Sequence, residues 1–327
     1  MLSSIANFIF LLFQKYKKRE GIIFKKSFKS NTTRNNYKKC FRTTKISIIK
    51  SKNSQTSDIN KYTFKLKFVI ISTSRKDDIM NKKIGVFDSG LGGLSILKEL
   101  VKVLPNEDYL FYGDSINNPY GEKNESELLS ITSKIVEHLL ENDCKIIVIA
   151  CNTATTSCMK KLRKMYPNTI FVGTVPAIKV AYDNHYKNTL VLSTPYTTRS
   201  KRVAELLHDY HNQSQKITLI SGGNLAHLID SGNKDEIMRF LKENLSSYHD
   251  ADSLVLGCTH YSLIKEEINE VLPNVALLDG CHGVSLEVKH QLENHHLLNL
   301  SEKRGKIIIE NSKSQDLIDK SYEILRK

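Results

Sequence analysis

Two cysteines stand out by their surroundings. Cys151 follows Val148-Ile149-Ala150 and precedes Asn152-Thr153-Ala154, while Cys258 follows Val255-Leu256-Gly257 and precedes Thr259-His260-Tyr261. Each thiol sits where an apolar run gives way to a polar turn. In an open α/β sheet that is where ligands bind, and a helix starting there offers free N–H groups and a dipole end that lower a thiol pKa. The flanking Asn, Thr and His can hydrogen-bond a small polar ligand. A pair of thiols across a cleft suits one task well: taking a proton from one face of a carbon and returning another on the opposite face. Nucleophilic Cys–His catalysis would leave one cysteine without a role, and His260 is only two residues from Cys258. Disulfide exchange needs sulfurs within about 2 Å, whereas two bases flanking a carbon stay apart. One such cysteine alone would as readily be a small buried apolar residue; the matched pair favours chemistry.

The elements that must hold these residues begin at Lys83–Phe87, a short β-rich run. The turn Asp88-Ser89-Gly90-Leu91-Gly92-Gly93 follows, then a helix with Leu94, Leu97, Leu100, Val101 and Leu104 on one face, ended by Pro105. The turn matches neither dinucleotide nor phosphate-loop patterns, and Asp88 would repel a phosphate while welcoming an ammonium group. A strand is expected at 109–112. Asn124 and Glu127 form a capping-box-like start for a helix with Leu128, Ile131, Ile135, Leu139 and Leu140 on its apolar side. Lys145–Ala150 is a buried strand ending at Cys151. A strand at Thr189–Leu192 ends in Ser193-Thr194-Pro195, and Ser253–Gly257 ends at Cys258. Asp88 to Cys151 spans 63 residues and Thr194 to Cys258 spans 64. The expected fold class is therefore α/β: two pseudo-symmetric units with mainly parallel sheets, facing a shared cleft.

The chain has 327 residues and a formal charge of +13, but the excess is confined to one end. Residues 1–79 hold 19 Lys+Arg and 4 Asp+Glu, leaving 29 and 31 for residues 80–327. A basic binding face on the body is thereby excluded, and no nucleic-acid partner is expected. Residues 1–79 are a basic extension without helical or strand period, read as unstructured or as no part of the working protein. A transit peptide and a membrane-touching segment (Leu2 to Phe13, then Lys15, Lys17, Lys18 and Arg19) are the competing readings. The composition matches translated AT-rich DNA, and Met80 directly precedes the first convincing strand, so Met80 is read as the natural start. No apolar run reaches the roughly 18 residues a membrane span needs. Six cysteines without CxxC or Cys/His zinc spacing read as free thiols in the cytoplasm, with no metal site. His290, His295 and His296 are read as solvated helix residues.

Five motifs in order resemble the glutamate racemases: Ile84-Gly85-Val86-Phe87-Asp88-Ser89-Gly90-Leu91-Gly92-Gly93; Tyr112-Gly113-Asp114 with Pro119-Tyr120-Gly121; Cys151-Asn152-Thr153-Ala154; Gly173-Thr174-Val175-Pro176-Ala177; and Gly257-Cys258-Thr259-His260-Tyr261. The resemblance runs from Met80 to about Gly280. It implies a two-base racemase without cofactor that supplies D-glutamate for peptidoglycan, with Cys151 acting on the D-enantiomer and Cys258 on the L-enantiomer. Asp88 and His260 would assist, and Ser89, Tyr120, Gly121, Asn152, Thr153 and Thr259 would complete the substrate pocket. It implies two domains, 80–176 with about 285–327 and 177–284, with the active site between them. A homodimer is left open. Leu228-Ile229-Asp230 departs from the family's usual Glu at the third position, which leaves open whether Asp230 orients His260. The alternatives carried are a racemase of aspartate or a hydantoin, and a binding protein using its basic tail on nucleic acid or membrane.

Overall fold

Lys83–Asp88 forms strand β1, and five of its six residues are buried, as a strand covered on both faces requires. The computed structural model describes residues 82–210 and 214–326, which lie within one unit of the chain, Ser74–Lys327. The extension read over 1–79 and the start at Met80 lie outside the described residues. After β1 come α1 (Leu94–Val103), β2 (Tyr109–Gly113), α2 (Glu125–Glu141), β3 (Cys144–Ile149), α3 (Asn152–Met165) and β4 (Phe171–Gly173). Next are α4 (Ile178–Asp183), β5 (Asn188–Ser193), α5 (Pro195–Thr198), α6 (Lys201–Asp209), β6 (Lys216–Ser221) and α7 (Leu225–Ser231). Then follow α8 (Lys234–Leu245), β7 (Ser253–Gly257), α9 (Lys265–Val271), β8 (Ala276–Leu278), α10 (Cys281–Asn294), β9 (Ile307–Asn311) and α11 (Gln315–Arg326). The strands make two parallel sheets, β4-β3-β1-β2-β9 and β6-β5-β7-β8, here called the first and second halves. The α/β architecture expected from the alternation of strands and helices is the one found.

Helices cover both faces of each sheet. Ile84, Val86 and Ile146 pack with Leu94, Leu97 and Leu100 of α1 and with Val284, Val288 and Leu292 of α10. Phe87, Ile147 and Ile149 turn the other way, onto Leu128, Ile135 and Leu139 of α2 and Ala154, Cys158 and Leu162 of α3. In the second sheet Leu190, Leu192 and Leu254 face α7, α8 and α9, while Val191 and Val255 face α4 and α6. Asn124 caps α2 through Glu127 N–H, 2.9 Å from its side-chain oxygen. The second half expected at 177–284 ends within the first turn of α10, whose apolar side joins the first half's core. β9 and α11 return to that half: β9 pairs with β2 from Tyr109↔Ile307 to Gly113↔Asn311. Among the described residues no helix is long and apolar enough to cross a membrane.

Candidate active site

Carried just past the strand ends, the pairings Phe87↔Ile149 and Ser193↔Gly257 set Ser89 against Cys151 and Thr194 against Cys258. The repeat thus equates Thr194 with Ser89, one residue from the Asp88 that spacing suggests. Cys151 caps α3 from extended backbone, and Cys258 does the same for a 3-10 turn, Thr259–Ile264. Both cysteines line one cavity of about 140 Å³, room for a few waters or one small solute. Ser89, Tyr120, Gly121, Asn152, Thr153 and His260 line it too. Asp88 and Thr259 are buried but do not line it, and Thr259 Oγ1 donates to Asp88 Oδ1 over 3.5 Å.

Asp88 Oδ2 accepts from the main-chain N–H of Gly90 at 3.3 Å and of Gly93 at 2.8 Å, so the carboxylate secures its own turn. Gly92 lies against His260 so closely that a Cβ there would stand 2.5 Å from the histidine's main-chain nitrogen. The missing side chain is what lets the turn approach the ring.

The two sulfurs have different surroundings. Cys151 Sγ donates towards Ser89 Oγ at 3.8 Å, and burial, reinforced by the Asp88 charge, pushes its thiol well above the ordinary range. The Ala154 N–H opposes this, as expected at a helix start, but is outweighed. The thiolate that helix-end position alone favours is therefore not the resting form of Cys151. Burial likewise raises Asp88, against the pull of His260. Cys258 Sγ lies 3.7 Å from His260 Nδ1. His260 Nε2 stands 3.2 Å from each carboxylate oxygen of Asp230, so the shorter acid does reach the ring. Burial disfavours a charged His260, yet the Asp230 charge and hydrogen bond, with Cys258, lift it well above its usual value. Burial acts to raise Asp230, but His260 and then Lys320 bring it below the usual carboxylate range. The pair is an imidazolium against a carboxylate.

Some expected contacts take another form. Tyr120 lines the cavity, but its hydroxyl is engaged by the protein, donating to Asp114 Oδ2 at 2.7 Å. Thr153 Oγ1 bonds across the cleft to Thr194 Oγ1 at 3.0 Å and Thr197 Oγ1 at 3.3 Å. Asn152 Oδ1 is buried without a partner among the described residues, an acceptor open to an ammonium donor. Asn118, Glu122, Thr194, Asn224 and His227 also line the cavity and were not anticipated as site residues. Thr194 carried a signal, since a threonine before a proline reads as a helix start; Asn118 in a loop, Glu122 in a 3-10 turn, Asn224 just before α7 and His227 within α7 carried none. Among the described residues no lysine or arginine lines the cavity, so an anionic ligand would meet N–H and O–H donors there. Among the described residues no group of His, Cys, Asp and Glu is arranged to hold a metal.

A family model described as Asp/Glu/Hydantoin racemase matches residues 92–283. A glutamate racemase of Clostridium botulinum (strain Alaska E43 / Type E3) is 39% identical over 255 residues, covering 76% of this chain and 98% of its own. One from Clostridium novyi (strain NT) is 39% identical over 255 residues, 76% of this chain and 96% of its own. The crystal structure of glutamate racemase from Francisella tularensis subsp. tularensis SCHU S4 in complex with D-glutamate matches with a TM-score of 0.65 at 28% identity, covering 76% of this chain and 95% of that one. The chain therefore belongs to the Asp/Glu/Hydantoin racemase family, within which these relatives are glutamate racemases.

Proposed function

We propose that this protein interconverts L- and D-glutamate by moving protons at the α-carbon between two thiols. The observation that carries the reading is that Cys151 and Cys258, at matched strand ends, line one small cavity. In the L-to-D direction Cys258 takes the α-proton, with the His260 imidazolium beside its sulfur. The α-C–H pair passes to the carbon, and the Cys151 thiol, kept protonated by burial and Asp88, gives its proton to the opposite face. One negative charge thus moves from Cys258 to Cys151, and the D-to-L direction is the reverse. Asn152 accepts from the substrate ammonium group, while Ser89, Tyr120, Gly121 and Thr153 shape and bind the remainder, and Thr259 supports the site from behind the cavity wall through Asp88. No cofactor or metal takes part. The halves 80–176 with 285–327, and 177–284, act as two domains about the substrate. The product is D-glutamate for peptidoglycan, made in the cytoplasm.

The test is circular dichroism of L-glutamate and L-aspartate incubated with purified enzyme and no added cofactor. Loss of the L-glutamate signal to zero, with L-aspartate unchanged, is expected. Decay of L-aspartate alone would move the substrate to the shorter acid, and activity lost to chelator and restored by metal would overturn the two-thiol mechanism.

A further inference from the structure

Asp230 belongs to α7 of the second half, yet its partners come mostly from the first. The Asn118 Nδ2, from the loop after β2, donates to Asp230 Oδ2 at 2.6 Å. The Leu91 N–H, in the turn after β1, also bonds Asp230. Lys320 Nζ of α11 donates to the Asp230 carbonyl at 3.1 Å. At Gly90 a Cβ would stand 2.8 Å from Asp230 Oδ2, 3.0 Å from His260 Nε2 and 3.5 Å from Asn118 Nδ2, so the turn walls in all three side chains. The contacts Asn118–Asp230, Asp230–His260 and His260–Cys258, at 2.6, 3.2 and 3.7 Å, form one continuous line from the first half to a sulfur of the second.

We propose that Asn118 is a positioning residue that acts across the cleft through Asp230 and His260 on Cys258, so that His260 is held towards the sulfur only while the two halves are closed. This deepens the racemase reading and rests on it. With the Asn118 amide and the Leu91 N–H both donating, the carboxylate presents both oxygens to Nε2; without the amide only the Leu91 N–H orients it, and its hold on the imidazolium weakens. Opening the cleft removes the Asn118 and Leu91 donors together. Cys258 is then armed only around an enclosed substrate. The charged and titratable groups facing His260 are Asp230 of α7, Cys258 of its own turn and Asp88 at the end of β1. Lys320 of α11 stands behind Asp230, and Cys151 and His227 line the same cavity.

Asn118 also lines the cavity, so the experiment must separate positioning from substrate contact. Full-length wild type, Asn118→Ala, Asp230→Asn and the double variant are compared by ring-¹⁵N NMR of histidine over pH, with His260→Gln assigning the signal. Asn118→Ala is expected to lower the His260 midpoint, Asp230→Asn to lower it further, and the double variant to match Asp230→Asn. In racemisation, Asn118→Ala should lower kcat about tenfold, the scale of one hydrogen bond to a charged group, with KM within threefold. In the Asp230→Asn background it should change nothing. An unmoved His260 midpoint in Asn118→Ala, or a further kcat loss with raised KM in the double variant, overturns the proposal. Asn118→Ser gives the same readouts if the alanine variant does not fold. The NMR arm needs no turnover, so failure of glutamate as substrate is distinguished from failure of this relay.

Discussion

Replacing Gly92 by alanine drives a methyl group into the side of His260. The added Cβ would lie 2.5 Å from both the main-chain nitrogen and Nδ1 of His260, and 2.8 Å from its Cγ. Ordinary contact begins near 3.4 Å, so these atoms must part by about 0.9 Å. Neither partner is the free end of a flexible chain: one is backbone and the other a buried ring held by Asp230. Overpacking of this kind costs about 1–3 kcal/mol of stability. Displacing Nδ1 from Cys258 by nearly an ångström should cost roughly a hundredfold in kcat/KM, because the 3.7 Å contact is replaced by a gap. Circular dichroism of racemisation and thermal unfolding together report both effects. Gly283→Ala, in α10 with nothing within 4 Å of the new Cβ, is the control. It should gain about 0.5–1 kcal/mol and leave activity unchanged. A Gly92→Ala enzyme within threefold of wild-type kcat/KM would refute the reasoning that this turn positions His260.

Cys151→Ala and Cys258→Ala should each abolish net racemisation, and wild type in D₂O should place deuterium on the α-carbon of product; a substantial rate in either variant would remove that sulfur from the mechanism. In Asp230→Asn the burial that already opposes charge on His260 is left to act, so its midpoint should fall below the ordinary 6.5. The wild-type stability advantage over that variant should be widest between about pH 4 and 6.5, shrinking as pH rises through the raised His260 midpoint and as it falls through the lowered Asp230 one. Thermal melts across pH check this, and a gap that widens above pH 8 would contradict it. Iodoacetamide should label Cys151 slowly at pH 7 and faster by up to about tenfold per pH unit, with Asp88→Asn accelerating it. Peptide mass spectrometry showing fast labelling independent of pH from 6 to 8 would mean a resting thiolate. Residues 80–327 alone should keep full activity, since every described residue lining the cavity, and every sequence motif of the site, lies beyond Met80; a tenfold loss would give the extension a role.

What was legible in the sequence was whatever local chemistry decides. Buried strands read as continuous apolar runs, and β7 has the expected bounds, Ser253–Gly257. The Asn124 cap follows from a donor and acceptor three residues apart. Both cysteines could be placed because a strand end at a helix start is a local event. The protonation of Cys151 could not, because it depends on enclosure and on the charge of Asp88, neither of which is visible in a seven-residue motif. Nor could Asn118 be singled out, since its partner Asp230 lies 112 residues away. On α2, Thr132 and Ser133 read as polar yet are buried, their hydroxyls donating to the carbonyls of Leu128 and Leu129 one turn back. The return of β9 to the first sheet had no local marker, because a parallel edge strand is specified by the neighbour it finds.

That return strand bears on how the chain comes to be assembled during synthesis. The second sheet draws all four strands from one continuous stretch, Asn188 to Leu278, and can close as soon as that stretch leaves the ribosome. The first sheet begins earlier but finishes last. Until Ile307–Asn311 emerges, β2 waits with Leu110 and Phe111 on an unpaired edge, a template for pairing with another unfinished chain. The half that is translated first is thus the half that folds last, and a chain released short of Ile307 keeps both cysteine turns yet carries an open strand in place of a finished sheet.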